Sequence, residues 1–206
     1  NATELDNTNE LLSKAIQAMG GKENIDKIKN IQLNGKLNIM GQTLNFKKKV
    51  TQQNSSEILW LMGDEIISKQ SFNDGLYDLE IQGKQVPMTE DLRKSINESI
   101  YVVPETMYQQ NGYKLKYIGS EDIDGKKVNK LELTSPSGKI SYRFYDKESN
   151  LLVKTTSVIT NKTEEVSKSQ YYKNYQKIEG VMFAREILMD SGQNQIKLNY
   201  DEIIIN

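Results

Sequence analysis

The chain has 206 residues with 27 Lys and Arg against 28 Asp and Glu, the two signs interspersed, so no basic face for nucleic acid is expected. It holds no cysteine and no histidine, which excludes disulfides, thiol chemistry, Ser-His-Asp catalysis and zincin-type metal sites. At 36% hydrophobic residues the apolar material suffices for a core, and with three prolines and no linker-like stretch a single domain over 1–206 is expected.

The first element is helical. Leu11, Leu12, Ala15, Ile16 and Met19 fall on one stripe, with Thr8 or Asn9 as the expected cap and Gly20-Gly21 as the stop. Ile25 and Ile28 mark a second, shorter helix ending near Asn30. The period then changes to two. Ile31, Leu33, Leu37 and Ile39 alternate with polar residues, and after Met40-Gly41-Gln42 the return strand carries Leu44, Phe46 and Val50. Lys48 interrupts that apolar face, which is expected to open to a groove or to solvent there. The run Lys47-Lys48-Lys49 is expected to edge a sheet, since lysines discourage edge pairing.

"SEILWLMGDEIISKQSF" reads as two strands and "NDGLYDLEIQG" as a third. Within it Ile58 to Met62 is an unbroken apolar run, the pattern of a strand covered on both faces. After Pro87, Leu92, Ile96 and Ile100 mark a helix capped by Thr89. The remainder is strand and turn to the end, giving roughly eleven strands in one large antiparallel sheet, strongly curved, with two helical regions packed on it. A meander of this length has an apolar face that two short helices cannot cover, so the concave side is expected to keep room for something else.

No cofactor is implied and no catalytic constellation is visible. Glu121, Asp122 and Asp124 lack the spacing of a calcium loop and read as a solvated turn. Adjacent acids at Glu164-Glu165 and Asp201-Glu202 are expected to point to opposite faces of their strands. Of Tyr171, Tyr172 and Tyr175, the first and third should share a face, as cross-strand pairs or as a stacking platform. Leu37, Ile39, Leu44, Phe46, Trp60 and Met62 are the candidate lining of an apolar ligand site; ordinary core is the other reading of Trp60 and Met62.

Four motifs, in order, resemble a known family. They are "AIQAMGGKENIDKIKNIQLNGKL"; "GSEDIDGKKVNKLELTSPSG" through Gly119, Glu121, Ile123 and Gly125; "FYDKESNLLVK" through Tyr145, Asp146, Asn150 and Leu151; and "YYKNYQKIEGVMFAREI" through Tyr172, Tyr175, Gly180 and Val181. The family is the superfamily of the periplasmic lipoprotein carriers LolA and LolB and their outer-membrane lipoprotein-sorting relatives. The segments are also similar to C-terminal modules of insulinase-like M16 zinc peptidases of Bacteroidetes-type bacteria. Ala184 stands where the pattern often has proline, and no residue matches the carriers' cavity arginine.

The resemblance implies a LolA-like half-barrel with helices on its concave face, mainly antiparallel β. It implies a non-enzymatic binding module of the periplasm or cell envelope that holds a lipid acyl chain, a lipoprotein or another apolar ligand. The other reading it implies is an accessory domain of an M16-type peptidase, whose partner would be the peptidase domain. The polar opening "NATELDNTNELL" carries no export signal, so either the protein is cytosolic or an export signal was removed, and the resemblance implies the second. No run of about eighteen apolar residues is present, and association with a membrane is expected to be peripheral at most.

Overall fold

The computed structural model describes residues 2–160, 165–192 and 194–206. The chain is mainly antiparallel β, as its alternating pattern predicts, with thirteen described strands rather than about eleven. No described helix is long and apolar enough to cross a membrane. Residues gather into two compact units: unit 1 comprises 1–25 and 103–195, unit 2 comprises 26–102 and 196–206.

Unit 2 contains β1 (Ile31–Ile39), β2 (Gln42–Thr51), β3 (Ser55–Met62), β4 (Glu65–Asn73), β5 (Leu76–Ile81), the two-residue β6 (Lys84–Gln85) and the final strand β13 (Gln195–Ile205). Their order is β6-β5-β4-β3-β2-β1-β13, every neighbouring pair antiparallel. In β1, Ile31, Leu33, Gly35 and Leu37 are buried while Gln32, Lys36 and Asn38 are exposed, the pattern of a sheet with one apolar side. β2 lies between β1 and β3, so the three lysines do not edge the sheet. Both neighbours of β2 are the strands immediately before and after it, so the meander and not the lysine run decides which strand is the edge.

A bulge between Asn34 and Gly35 shifts the pairing with β13 by one residue. A side chain on Gly35 would come within 2.6 Å of the Asn199 carbonyl oxygen, so the bulge requires glycine here. The same bulge overrides the expected alternation of Asp201 and Glu202. Asp201 reaches Lys36 at 3.7 Å and Glu202 accepts from Asn34 at 2.6 Å, both partners on the polar side of β1.

Helix α3 (Glu90–Glu98, taking α1 and α2 for the two N-terminal helices Ala2–Ala18 and Lys22–Lys27) packs against β4. Thr89 caps it as predicted, its hydroxyl oxygen accepting from the Leu92 amide at 3.2 Å. Ile96 is fully buried, and Ser99 is hydrogen-bonded to Ser56 of β3 at 2.9 Å.

Unit 1 contains α1 and the strands β7 (Lys114–Ile123), β8 (Lys126–Thr134), β9 (Ile140–Asp146), β10 (Leu152–Thr160), β11 (Glu165–Ile178) and β12 (Val181–Asp190). They run β12-β11-β10-β9-β8-β7. Leu11, Leu12 and Ala15 are buried, and α1 packs on β7 and on the 3-10 turn Pro104–Thr106. Thr8 does not cap α1, which begins at Ala2, seven residues before the start that role requires. It lies inside the helix, 2% exposed, donating to the Glu4 carbonyl and accepting the Tyr117 amide of β7 at 3.0 Å. That bond satisfies a backbone donor on the outermost strand of this unit.

Gly20-Gly21 ends α1 with paired bonds from Gly21 to Ile16 and from Gly20 to Gln17, the two-bond motif that glycine favours at helix ends. Gly20, at φ 132°, also sits directly against the Gly180 carbonyl, where no side chain fits. Met182 then donates to the Met19 carbonyl at 2.9 Å. The glycine pair therefore docks the helix end onto the β11–β12 turn as well as stopping it.

Candidate functional site

Antiparallel register decides which side chains of unit 2 share a face. Three rows cross β1 to β5 on the side that is buried in β1. The first is Ile31, Val50, Ser56, Phe72 and Tyr77; the second is Leu33, Lys48, Ile58, Gln70 and Leu79; the third is Gly35, Phe46, Trp60, Ser68 and Ile81. Lys47, Lys49, Glu57 and Leu59 occupy the opposite side, where a shallow hollow of about 190 Å³ is lined by these residues with Gln32 and Asn34 and is bordered by Lys48 of the same strand.

All six sequence-predicted lining residues lie on the apolar side. Leu37 opposes Leu44, Phe46 opposes Trp60, and Ile39 and Met62 follow by alternation. Their burial is graded. Leu37 and Phe46 are buried, Ile39, Leu44 and Trp60 are half-buried, and Met62 is 37% exposed. Phe46 packs on Trp60 with ring centroids 4.6 Å apart, and on Tyr200 of β13 at 5.8 Å.

The expectation that Ile58 to Met62 is covered on both faces is not met. Ile58, Leu59, Trp60 and Leu61 are all half-buried, and Met62 is exposed. An unbroken apolar run reports hydrophobicity on both sides of a strand without showing that anything covers either. Farther along the apolar side Phe72, Tyr77 and Leu79 remain half-buried and Ile81 is 46% exposed. Coverage comes at one end: α3 closes the first row through the Ser56–Ser99 bond, and the Arg93 guanidinium lies over the Tyr77 ring at 5.9 Å.

Lys48 is the one charged residue among the three rows, flanked across the sheet by Leu33 and Ile58 and along its strand by Phe46 and Val50. The side chain keeps partial access to solvent, yet burial among these neighbours lowers its pKa from 10.5 to about 8, with no charged group contributing. No ion pair or hydrogen bond of its ammonium is found among the described residues. The interruption of the apolar face that the sequence displays is thus a lone, desolvated amine.

Unit 1 treats charge differently. Glu105, 8% exposed, accepts through one oxygen from Arg143 Nε at 3.1 Å, from the other arm of the guanidinium at 2.8 Å, and from the Tyr145 hydroxyl at 2.7 Å. Burial opposes the guanidinium charge, but the Glu105 carboxylate and nearby tyrosines outweigh it and raise the Arg143 pKa well above its ordinary value. Burial and Glu105 raise those of Tyr145 and Tyr175. Tyr172 and Tyr175, not Tyr171 and Tyr175, belong to this cluster. Tyr171 instead lies under the Lys154 ammonium, and the left-handed backbone at Asn174 (φ 54°) breaks the simple alternation.

Sequence reading missed the Glu105–Arg143 pair. The available signal was an arginine inside the aromatic strand "SYRFY"; nothing local marked Glu105. The Asp122 carboxylate bonds the Gly125 amide at 2.8 Å and Glu121 pairs with Lys130 at 2.7 Å, so that acidic cluster is a turn with its charges engaged. Glu164 lies outside the described residues. Among the described residues no three potential metal-ligating side chains come together.

Comparison with known proteins places the fold. No family model matches, and no curated protein matches. Among solved structures, a DUF1329 family protein from Desulfovibrio piger superposes with a TM-score of 0.63 at 13% identity, over 97% of this chain and 93% of that one. A LolA superfamily protein from Nitrosomonas europaea gives 0.60 at 12% identity, over 93% of each chain. A domain from Vibrio parahaemolyticus assigned to outer membrane lipoprotein sorting gives 0.60 at 15%, over 95% and 92%. The chain has the LolA-like fold.

Proposed function

We propose that the chain is a non-enzymatic binding module of the bacterial cell envelope, and that unit 2 holds an acyl chain against the apolar side of β2 to β5. The observation that carries this reading is the half-buried state of Ile58, Trp60, Phe72 and Leu79 beside an exposed Met62 and Ile81. Fully packed core would leave such side chains buried, and an ordinary outer face would be polar. Covering this surface is favourable by about 25 cal/mol per Å² of apolar area removed from water.

The LolA-like fold supports both the ligand class and the envelope location, since lipoprotein sorting is the role assigned to one neighbour. A lipoprotein's acyl chain is one ligand of this class. Native mass spectrometry of gently purified protein is the test, with uptake of a fluorescent fatty-acid probe as its companion. Co-purified lipid and saturable probe uptake are expected. Neither appearing would overturn the proposal.

A further inference from the structure

We infer that the acyl ligand of unit 2 carries an anion at its head, and that this anion pairs with the ammonium of Lys48. The inference rests on the acyl-chain reading above and names the chemistry of the ligand's polar end.

A sheet face that served only for packing would gain from methionine or leucine at position 48. Each of the four nearest positions, Leu33, Ile58, Phe46 and Val50, is apolar. An amine held there with no partner among the described residues costs stability, because its neighbours remove part of the water from a charge and no protein group replaces it. The neighbouring lysines do not share this position: by strand alternation Lys47 and Lys49 fall on the other side of β2. A neutral apolar ligand laid over Lys48 would deepen the desolvation. An anionic head would relieve it, forming a charge-assisted bond in surroundings where such bonds are stronger than in water.

The rest of the face fixes which way such a ligand lies. α3 closes the first row at Ser56 and Tyr77, so the chain cannot leave Lys48 in that direction. On the other side lie the half-buried Trp60 and the 37% exposed Met62, beside the buried Phe46. Gln70, in the same row as Lys48 beyond Ile58, and Ser68 in the next row supply neutral donors near the head. A fatty carboxylate and a phosphate ester share the required chemistry, one anion at the end of one chain.

The test is calorimetric titration of dodecanoate, dodecyl phosphate and the neutral dodecanol, each below its aggregation limit at neutral pH. Wild type is compared with Lys48→Met, Lys48→Gln as a second neutral variant, and Lys48→Arg. Both anions are expected to bind wild type about tenfold or more tighter than dodecanol, the scale of a charged hydrogen bond. Lys48→Met and Lys48→Gln should remove that difference while leaving dodecanol affinity in place, and Lys48→Arg should keep it. The tighter anion then identifies carboxylate or phosphate as the head. Equal binding of all three ligands by wild type, or a preference for anions that survives in both neutral variants, would overturn the role of Lys48 and leave the acyl-chain reading standing. Failure of wild type to bind any of the three would overturn the acyl-chain reading itself.

Discussion

Arg143 in unit 1 and Lys48 in unit 2 are both cations that neighbouring side chains withdraw from water, and the two units deal with the charge in opposite ways. Around Arg143 the fold supplies a buried carboxylate, a hydroxyl and a set of tyrosines, so the charge is matched from within the chain. Around Lys48 it supplies four apolar side chains and, among the described residues, no counter-charge. A satisfied buried charge is a structural element; an unsatisfied one on an open apolar face is poised for something that arrives later. Burial alone would not separate these cases. Partners do.

The largest effect expected from breaking this contrast is on unit 1. Arg143→Met leaves the Glu105 carboxylate buried with only the Tyr145 hydroxyl, and should cost about 3–5 kcal/mol in urea unfolding. A loss below about 1 kcal/mol would mean the cluster is solvated, and the contrast with Lys48 would fail. Next comes Gly20→Ala, which forces a side chain onto the Gly180 carbonyl at a backbone angle that favours glycine. A loss of about 2–4 kcal/mol is expected, with disruption of the Met182-to-Met19 bond seen in amide exchange.

Lys48→Met should act in the opposite direction. The folded protein holds the Lys48 proton less tightly than the unfolded chain does, with a pKa of about 8 against 10.5. The unfolded state therefore binds more protons between these values, and stability rises with pH across that window. Below about pH 8 the full cost of the buried ammonium is present. The methionine variant should be more stable there, by on the order of 1–3 kcal/mol. The gap between variant and wild type should close as pH rises from about 8 to 10.5. A gap independent of pH would show that Lys48 is solvated. The smallest effect is on the closed end of the face: Thr89→Ala removes the α3 cap and should cost about 1 kcal/mol, read as faster amide exchange at Leu92.

Local pattern made the hairpin of β1 and β2, the cap at Thr89, the glycine stop of α1 and the common face of the six lining residues legible in the sequence. What it hid was set elsewhere. β2 is interior because the next strand, β3, pairs on its far side, so the order of the meander and not the three lysines decides the edge. The bulge opposite Gly35 and the left-handed backbone at Asn174 within β11 each reset a two-residue period, so Asp201 and Glu202 came to the same side and Tyr172 joined Tyr175. Glu105 meets Arg143 across 38 positions of sequence, with no local trace of the pairing. Lys48 was legible as an interruption, while its isolation needed the register of three strands.

Trp60 is the chain's sole tryptophan and sits beside Phe46 on the open stretch next to Lys48, so its emission reports on that surface alone. Titration with a fatty acid brominated in mid-chain measures directly whether an acyl chain comes to rest there, because bromine quenches an indole only at contact range. Saturable quenching of Trp60, reversed by the unbrominated acid, is the predicted result. Binding of the brominated acid with tryptophan emission undiminished would contradict it and move the ligand away from unit 2.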